Sequence, residues 1–177
     1  NYISDTGLLA LSMGDLNNPV IPPALIADIA GGTYPAVINI LLALRVRDLH
    51  KKGSHIDIAM SEGLFPFMFW AIGRGNTTGD WPKNSDSTFT GGSPRYHLYR
   101  TSDNKILAAA PLEQKFWNIF CDTIKLEHRL RNDAINPTLT IKEIAKIIIT
   151  KSGAYWQKCF NKVNCCCTIV KTIESAI

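Results

Sequence analysis

Two carboxylate side chains are the best candidates for catalytic residues in this sequence. Asp28 follows an apolar, strand-like stretch and precedes Gly31 and Gly32, and Glu113 comes just after a Pro-Leu pair. Both lie near predicted helix starts, where backbone N–H groups and the helix dipole favour negative charge. A carboxylate in that position can act as a general base, a general acid or a nucleophile. From the pattern alone, an N-cap aspartate and a first-turn glutamate without chemistry are the simpler interpretations.

The four histidines are weaker candidates for general acid–base catalysis. His50 and His128 have charged surroundings that predict solvation, whereas His55 and His97 lie in predicted strands, where packing explains them. The sequence contains no GxSxG elbow, Walker loop, HExxH or GxGxxG motif. The residues alone therefore indicate two carboxylates of interest and no recognised catalytic motif.

The five cysteines argue against both a disulfide framework and a metal site. Cys165, Cys166 and Cys167 are consecutive, so their side chains cannot all reach partners. Neither Cys121 nor Cys159 supplies the paired spacing of a zinc site. We therefore expect reduced thiols, largely buried, in a cytoplasmic protein, and no bound metal.

The elements that would position these residues alternate between helix and strand, which favours the α/β class. Apolar residues spaced i, i+3, i+4 and i+7 from Val37 predict a helix over 34–52, which Gly53 ends. Residues 55–59 alternate between polar and apolar types, as in a strand, and a second helix is predicted from about Ser61. After a polar loop over 73–92, the pattern predicts a hairpin over 95–100 and 105–110, helices over 113–124, 141–150 and 154–163, and a strand over 165–170.

Composition excludes several classes of protein. The 177 residues are 46% hydrophobic and 19% charged, which is typical of a globular chain and not of a disordered or collagen-like one. The net charge of +4 is too small and scattered to indicate a nucleic-acid partner. The longest apolar runs, 34–44 and 64–73, fall short of a bilayer span of roughly 20 residues. They predict core helices and no membrane anchor.

Three blocks of this sequence resemble the CaiB/BaiF-type family III CoA-transferases, which include racemases of α-methylacyl-CoA. The blocks are PPALIADIAGGTYPAVINILLALRVRD, KGSHIDIAMSEGLF and GGSPRYHLYRTSDNKILAAAPLEQKFW. They occur in the family's order and spacing, and the likeness extends from Asn1 to about Val170. In fold, the resemblance implies part of a Rossmann-like large domain over 1–76, a linker over 77–92 and a small α/β domain over 93–177. Two chains of the family interlock as a homodimer.

The resemblance also implies roles for particular residues. Asp28 occupies the place of the family's catalytic aspartate, and Glu113 that of a glutamate used by racemase-type members. Tyr2, Gly31 and Gly32 are implied to contact the CoA substrate. A racemase would remove and return the α-proton of a 2-methylacyl-CoA, with the thioester as substrate and no further cofactor. A CoA-transferase would instead carry the acyl group on the aspartate as a mixed anhydride.

Some features depart from the family pattern. The chain opens on Asn1 and Tyr2, the last two residues of a GHDINY-like motif whose histidine would be the third catalytic partner. Ala24 stands where racemases have Asn, and Ile169 where the family tends to have Pro. We expect a central fragment that lacks its C-terminal return to the large domain. The short loop at 91–94, together with Glu113, favours the racemase over the transferase, and an inactive fragment of a split gene is the third alternative.

Overall fold

The computed structural model describes residues 1–14 and 17–177. The chain divides into two compact units, Asn1–Asn84 and Ser85–Ile177. The division between them falls inside the stretch for which the sequence predicts a linker. Helices and a sheet are both present among the described residues, in agreement with the predicted α/β class.

The first unit is built around one long helix. After α1 (Tyr2–Asp5) and a 3₁₀ turn (Leu9–Leu11), a π-helical segment (Ala27–Thr33) continues directly into α2 (Tyr34–His50). Proline in the first turn of α2 suits a helix start, and Lys51 ends the helix with φ of 58°. The predicted helix is confirmed, but the strand-like stretch before Asp28 forms no strand.

The long helix is far more exposed than the sequence suggests. No residue of α2 is buried, so the expectation that residues 34–44 form a buried core helix is wrong for this unit. Because the π-helical segment lengthens it, the helix over 27–50 reaches 24 residues, and by length and composition alone it could cross a membrane. One such helix is weak evidence of membrane insertion, since core helices meet the same criteria.

A second helical stretch completes the first unit. A 3₁₀ helix (Glu62–Met68) containing Pro66 leads into α3 (Phe69–Thr78), which Gly79 ends with φ of 73°. Trp81 packs against Gly75, where an added Cβ would lie 2.3 Å from the indole ring. Residues 73–78 are therefore helical and not part of the predicted loop.

The strand predicted over 55–59 does not form. Residues 54–59 are neither helix nor strand, and no β-ladder includes them within the described part of the chain. Their alternation nevertheless persists, because Ile56 and Ile58 are half-buried while His55, Asp57 and Ala59 are exposed. A strand needs a neighbouring strand to pair with its backbone. The sequence pattern is thus that of a strand whose partner is missing from the described residues.

The second unit contains a three-stranded antiparallel sheet. Strands β1 (His97–Arg100) and β2 (Ile106–Ala109) form the predicted hairpin, and β3 (Cys167–Ile169) pairs with the far edge of β2. In the hairpin turn Asn104 adopts φ of 59°, a conformation that asparagine tolerates better than most residues. The hairpin and the last strand are confirmed, with β3 shorter than predicted.

Helices pack on this sheet to form its core. The second unit contains α4 (Gln114–Ile124), α5 (Pro137–Ile148), α6 (Gly153–Phe160) and α7 (Ile173–Ala176). In α4 the buried residues recur at i, i+3, i+4 and i+7, which gives the helix one apolar face. The side chains of Asn136 and Ser152 cap α5 and α6. Buried residues of this core include Tyr99, Leu107, Trp117, Phe120, Cys121, Ile124, Ile144, Ile148, Trp156 and Phe160.

A carboxylate joins the hairpin turn to α6. The carboxylate of Asp103 accepts hydrogen bonds from the Thr101 hydroxyl at 2.6 Å and from the backbone N–H of Gly153 at 2.8 Å. These hydrogen bonds, the one from Thr101 foremost, lower the pKa of Asp103. The ionised form is thus the one that stabilises the fold.

We expect Asp103→Asn to lower the urea midpoint of residues 1–177 at pH 7. Because the folded-state pKa is depressed, the ionised carboxylate contributes stability above its ordinary pKa of about 3.9. That contribution is lost as the pH falls through the depressed folded-state pKa, so the difference between variant and parent should shrink steadily on acidification. Urea unfolding followed by circular dichroism between pH 3 and 7 measures this. If the urea midpoints of variant and parent differed equally at pH 3 and at pH 7, the charge of Asp103 would not have the stabilising role given to it here.

Candidate active site

Asp28 lies in the first turn of the π-helical segment and is exposed. Ile26 occupies the N-cap position, so the interpretation of Asp28 as the N-cap is wrong. The π-helical segment begins at Ala27, and within it the backbone carbonyl of Asp28 accepts a hydrogen bond from the Thr33 hydroxyl at 2.9 Å. π-Helical turns are rare and often mark functional sites. The carboxylate is therefore presented to solvent at the N-terminal, electropositive end of a long helix.

The two glycines after Asp28 allow a close backbone crossing. A Cβ on Gly31 would lie 2.5 Å from the Met60 carbonyl oxygen, and one on Gly63 would lie 2.3 Å from the Gly31 carbonyl oxygen. At Gly32 a Cβ would approach the flexible Met60 side chain at 2.9 Å. The crossing fixes the helix start that carries Asp28 against residues 60–63. It gives these glycines a packing role, and their predicted contact with CoA stays a prediction.

We expect Gly31→Ala to destabilise the first unit by about 1–3 kcal/mol, because the added methyl group meets backbone that cannot move aside locally. Gly73→Ala is the matched control, since Gly73 is an exposed residue of α3 with nothing within 4 Å of its added Cβ. That control should be neutral or stabilising by up to about 1 kcal/mol, from helix propensity. Urea unfolding of residues 1–177 measures both. Equal effects of the two substitutions would show that the crossing does not require glycine.

Glu113 occupies the N-cap position of α4. Its backbone carbonyl accepts hydrogen bonds from the N–H groups of Phe116 at 3.0 Å and Trp117 at 2.9 Å. Its side chain makes no capping hydrogen bond and is exposed. The helix is thus started by the backbone of Glu113, and the carboxylate is left available for another role.

Arg95 donates hydrogen bonds to the residues on either side of Glu113 in the sequence. Its Nη1 donates to the carbonyl of Leu112 at 3.2 Å, and its Nη2 donates to Oε1 of Gln114 at 2.9 Å. These contacts fix the chain on either side of Glu113. The sequence did not identify this residue, because the interacting groups are 17 and 19 positions apart and no motif marks them.

Arg95 is itself fixed by an ion pair and a ring. Its Nε and Nη2 donate to the two carboxylate oxygens of Asp133 at 2.9 and 2.7 Å. The guanidinium carbon lies 4.9 Å from the centre of the Trp117 ring. The two charged side chains are only 18% and 13% exposed, so this is a shielded, bidentate pair. We therefore regard Arg95 and Asp133 as positioning residues for Glu113.

The predicted site residues fall in both units. Asp28, Gly31 and Gly32 share one π-helical segment of the first unit, and Tyr2 lies in α1 of the same unit, 44% exposed. Glu113 belongs to the second unit. The structure thus places Asp28 and the two glycines in one segment. Tyr2 and Glu113 lie in other elements, α1 and the N-terminus of α4.

Residues 1–177 match CoA-transferase family III over their whole length. The chain belongs to this family. Among its curated relatives, alpha-methylacyl-CoA racemase of Mus musculus is 28% identical over 182 residues, covering 100% of this chain and 47% of the relative. The racemase of Homo sapiens is 28% identical over 194 residues, with the same coverage. A CaiB/baiF CoA-transferase family protein of Caenorhabditis elegans is 28% identical over 179 residues, covering 98% of this chain and 51% of the relative.

Solved structures agree with this family III fold. The hypothetical protein Rv3272 of Mycobacterium tuberculosis matches 99% of this chain and 48% of its own, with a TM-score of 0.74 and 18% identity. A CAIB/BAIF family protein of Brucella suis matches 99% of this chain and 48% of its own, with a TM-score of 0.65 and 18% identity. The chain spans about half the length of the curated relatives that it matches.

The thiols of this family III chain are all free. Cys121 is buried, and desolvation raises the pKa of its thiol to about 12, so this thiol is inert at neutral pH. Cys165 is also buried, whereas Cys166 is exposed. The expectation that the thiols are largely buried is therefore confirmed for only some of the five cysteines. Within residues 1–14 and 17–177, no group of three His, Cys, Asp or Glu side chains is placed to hold a metal ion.

Proposed function

We propose that the family III protein containing this chain epimerises 2-methylacyl-CoA thioesters by removing and returning the α-proton. The observation that carries the proposal is the exposed carboxylate of Asp28 in the first turn of the π-helical segment, fixed by the crossing at Gly31. It is supported by the match of the whole chain to relatives named alpha-methylacyl-CoA racemase.

In the proposed reaction, Asp28 takes the α-proton from one face of the substrate. The electron pair of the C–H bond moves toward the thioester carbonyl, giving an enolate whose oxygen needs hydrogen-bond donors. A second acid on the opposite face then returns a proton to the α-carbon, which inverts it. Glu113, working with the histidine of the GHDINY-like motif, is proposed as this second group. The N–H groups of the helix start near Gly31 and Gly32 are proposed to stabilise negative charge.

The proposed architecture follows the family. Residues 1–76 would form part of a Rossmann-like large domain, residues 77–92 a linker and residues 93–177 part of a small domain. The functional form would be an interlocked homodimer with an acyl-CoA as substrate, Tyr2 near the CoA, no other cofactor and a cytoplasmic location. The activity is proposed for the whole protein, because residues 1–177 span 47% of the length of the mouse racemase.

The alternative activity is CoA transfer between an acyl-CoA and a carboxylic acid. It is favoured by the relative described as a CaiB/baiF CoA-transferase family protein, which matches 98% of this chain. In that reaction the Asp28 carboxylate attacks the thioester carbonyl, CoA leaves as a thiolate, and the acyl group is held as a mixed anhydride. An exposed carboxylate is compatible with this role as well.

A stereochemical assay separates the two activities. We define the complemented protein as residues 1–177 co-expressed with the parts of mouse alpha-methylacyl-CoA racemase that lie outside the matching stretch. With (2R)-2-methylacyl-CoA, a racemase yields the 2S epimer without any acceptor acid. A transferase yields a new acyl-CoA only when a free acid is added. Transfer without epimerisation would overturn the proposal, and the mouse protein assembled from the same pieces is the positive control.

A further inference from the structure

The three consecutive cysteines at the start of the last strand have different surroundings. Cys165 is buried, Cys166 is exposed and Cys167 is half-buried. Cys166 adopts φ of 55°, and the chain bends at residues 165 and 166, just before β3. This left-handed conformation is uncommon for a residue that carries a side chain. The bend directs Cys166 to solvent and leaves Cys165 and Cys167 as the two shielded thiols.

The side chains of Cys165 and Cys167 lie next to each other. The Cys167 thiol donates a hydrogen bond to the carbonyl oxygen of Cys165 at 3.2 Å. The two thiols are also within hydrogen-bonding reach of each other. A disulfide requires Cα atoms about 4.4–6.8 Å apart. Two residues of extended chain span at most about 7 Å, and a bend shortens this span. Three consecutive cysteines cannot all pair, but the first and third can.

The contact between the two thiols provides a nucleophile. It lowers the pKa of the Cys165 thiol and raises the pKa of the Cys167 thiol, because Cys167 is the donor and stabilises the thiolate of Cys165. The thiolate is the reactive form of cysteine. Since Cys165 is buried and Cys167 is half-buried, the oxidant that reaches them must be small. Hydrogen peroxide meets this requirement, whereas a bulky disulfide such as oxidised glutathione does not.

We propose that Cys165 and Cys167 are a dithiol that hydrogen peroxide oxidises to an intramolecular disulfide, fixing the bend before β3. The Cys165 thiolate attacks one oxygen of the peroxide, the O–O bond breaks, and a sulfenic acid and hydroxide form. The Cys167 sulfur then displaces the second hydroxide, so the S–O bond breaks and the S–S bond forms. The two thiol protons convert the two hydroxides into water. The sulfurs together lose two electrons, which the peroxide gains.

The bend is connected to the segment that carries Glu113. The backbone carbonyl of Cys166 accepts a hydrogen bond from the N–H of Ala110 at 3.0 Å, and the carbonyl of Ala110 accepts one from the N–H of Leu112 at 2.8 Å. A disulfide that spans Cys166 restricts the bend and should therefore slow the opening of the first of these hydrogen bonds. The proposal does not rest on the racemase activity.

Mass spectrometry of residues 1–177 treated with hydrogen peroxide tests the proposal. Trypsin cleaves after Lys162 and Lys171, which releases residues 163–171 with these three cysteines and no others. After free thiols are blocked with iodoacetamide, this peptide should lack two hydrogens and carry one carbamidomethyl group, on Cys166. Dithiothreitol should reverse the loss. Three carbamidomethyl groups, a sulfinic acid in place of the S–S bond, or a disulfide between two chains would each overturn the proposal.

Serine substitutions identify the two sulfurs that pair. Cys166→Ser should leave the peroxide-dependent loss of two hydrogens intact, whereas Cys165→Ser and Cys167→Ser should each abolish it. A disulfide that is lost in Cys166→Ser would be a bond between adjacent cysteines, and the proposal would be wrong. Because Cys165 is buried, circular dichroism checks that its variant folds. The half-buried Cys167 provides the same test if the Cys165 variant does not fold.

Hydrogen exchange measures the effect of the disulfide on the fold. The amide of Ala110 should exchange at least about threefold more slowly in the oxidised chain than in the reduced chain. The amide of Gly79, which donates to the carbonyl of Gly75 at 2.9 Å in the first unit, is the internal control and should not change. Equal exchange of Ala110 in the two forms would show that the disulfide does not fix the bend.

Discussion

Replacing Asp28 with Asn in the complemented protein is expected to lower kcat for epimerisation by about 10²–10⁴-fold, the usual contribution of a positioned acid–base group. The amide has nearly the shape of the carboxylate but cannot accept the α-proton. Because the crossing at Gly31 holds the helix start through backbone contacts, the fold should be unaffected. KM should change little, since the substitution removes an interaction made chiefly in the transition state. Chiral chromatography of the hydrolysed product measures the rate.

The control for this prediction is Asp5→Asn. Asp5 is also an exposed aspartate in the first turn of a helix of the same unit, but it precedes no glycine crossing. It should leave kcat within about twofold of the parent, because general electrostatic effects at exposed sites are small. An Asp28→Asn protein that retained the parental kcat would remove Asp28 from the reaction.

Replacing Arg95 with Met is expected to destabilise the second unit by about 3 kcal/mol. The substitution leaves the Asp133 carboxylate, 13% exposed, without its bidentate partner, and removal of one member of a shielded pair costs more than the pair contributes. The hydrogen bonds to Leu112 and Gln114 are lost as well. Urea unfolding of residues 1–177, followed through tryptophan fluorescence, measures the change.

Arg129→Met is the matched control for Arg95. Arg129 pairs with Glu127, but the two side chains are 69% and 65% exposed, and such surface pairs contribute at most about 1 kcal/mol. Equal losses for the two substitutions would show that shielding and bidentate geometry do not matter at Arg95. In the complemented protein, Arg95→Met should also lower kcat while Arg129→Met should not, because only Arg95 fixes the chain beside Glu113.

The sequence predicts those elements whose signals are local. The apolar spacing from Val37 predicts α2, and the polar turn 101–104 between two apolar stretches predicts the β1–β2 hairpin. The apolar face of α4 likewise predicts the helix that begins after Glu113. In each case the residues that determine the element lie close to one another in the sequence.

Features that depend on distant residues escaped prediction. The alternation over 55–59 is a true strand pattern, but a strand forms only with a partner, and within the described residues none pairs with it. The helix start that carries Asp28 is held by the crossing of Gly31 with Met60, 29 positions away. Arg95 and Asp133 are 38 positions apart, so no local pattern relates them. The sequence therefore indicated where the two carboxylates lie but not what holds them in place.

The proposed epimerisation requires Asp28 to act as an acid–base group on the α-carbon, and solvent exchange tests this most directly. In deuterated water, the complemented protein should incorporate deuterium at the α-carbon of 2-methylacyl-CoA, detected by mass spectrometry, and Asp28→Asn should reduce the rate by about 10²-fold or more. Hydroxylamine should trap no acyl group on Asp28. Absence of α-deuterium together with an Asp28 acyl adduct would contradict the racemase account and assign CoA transfer to this site.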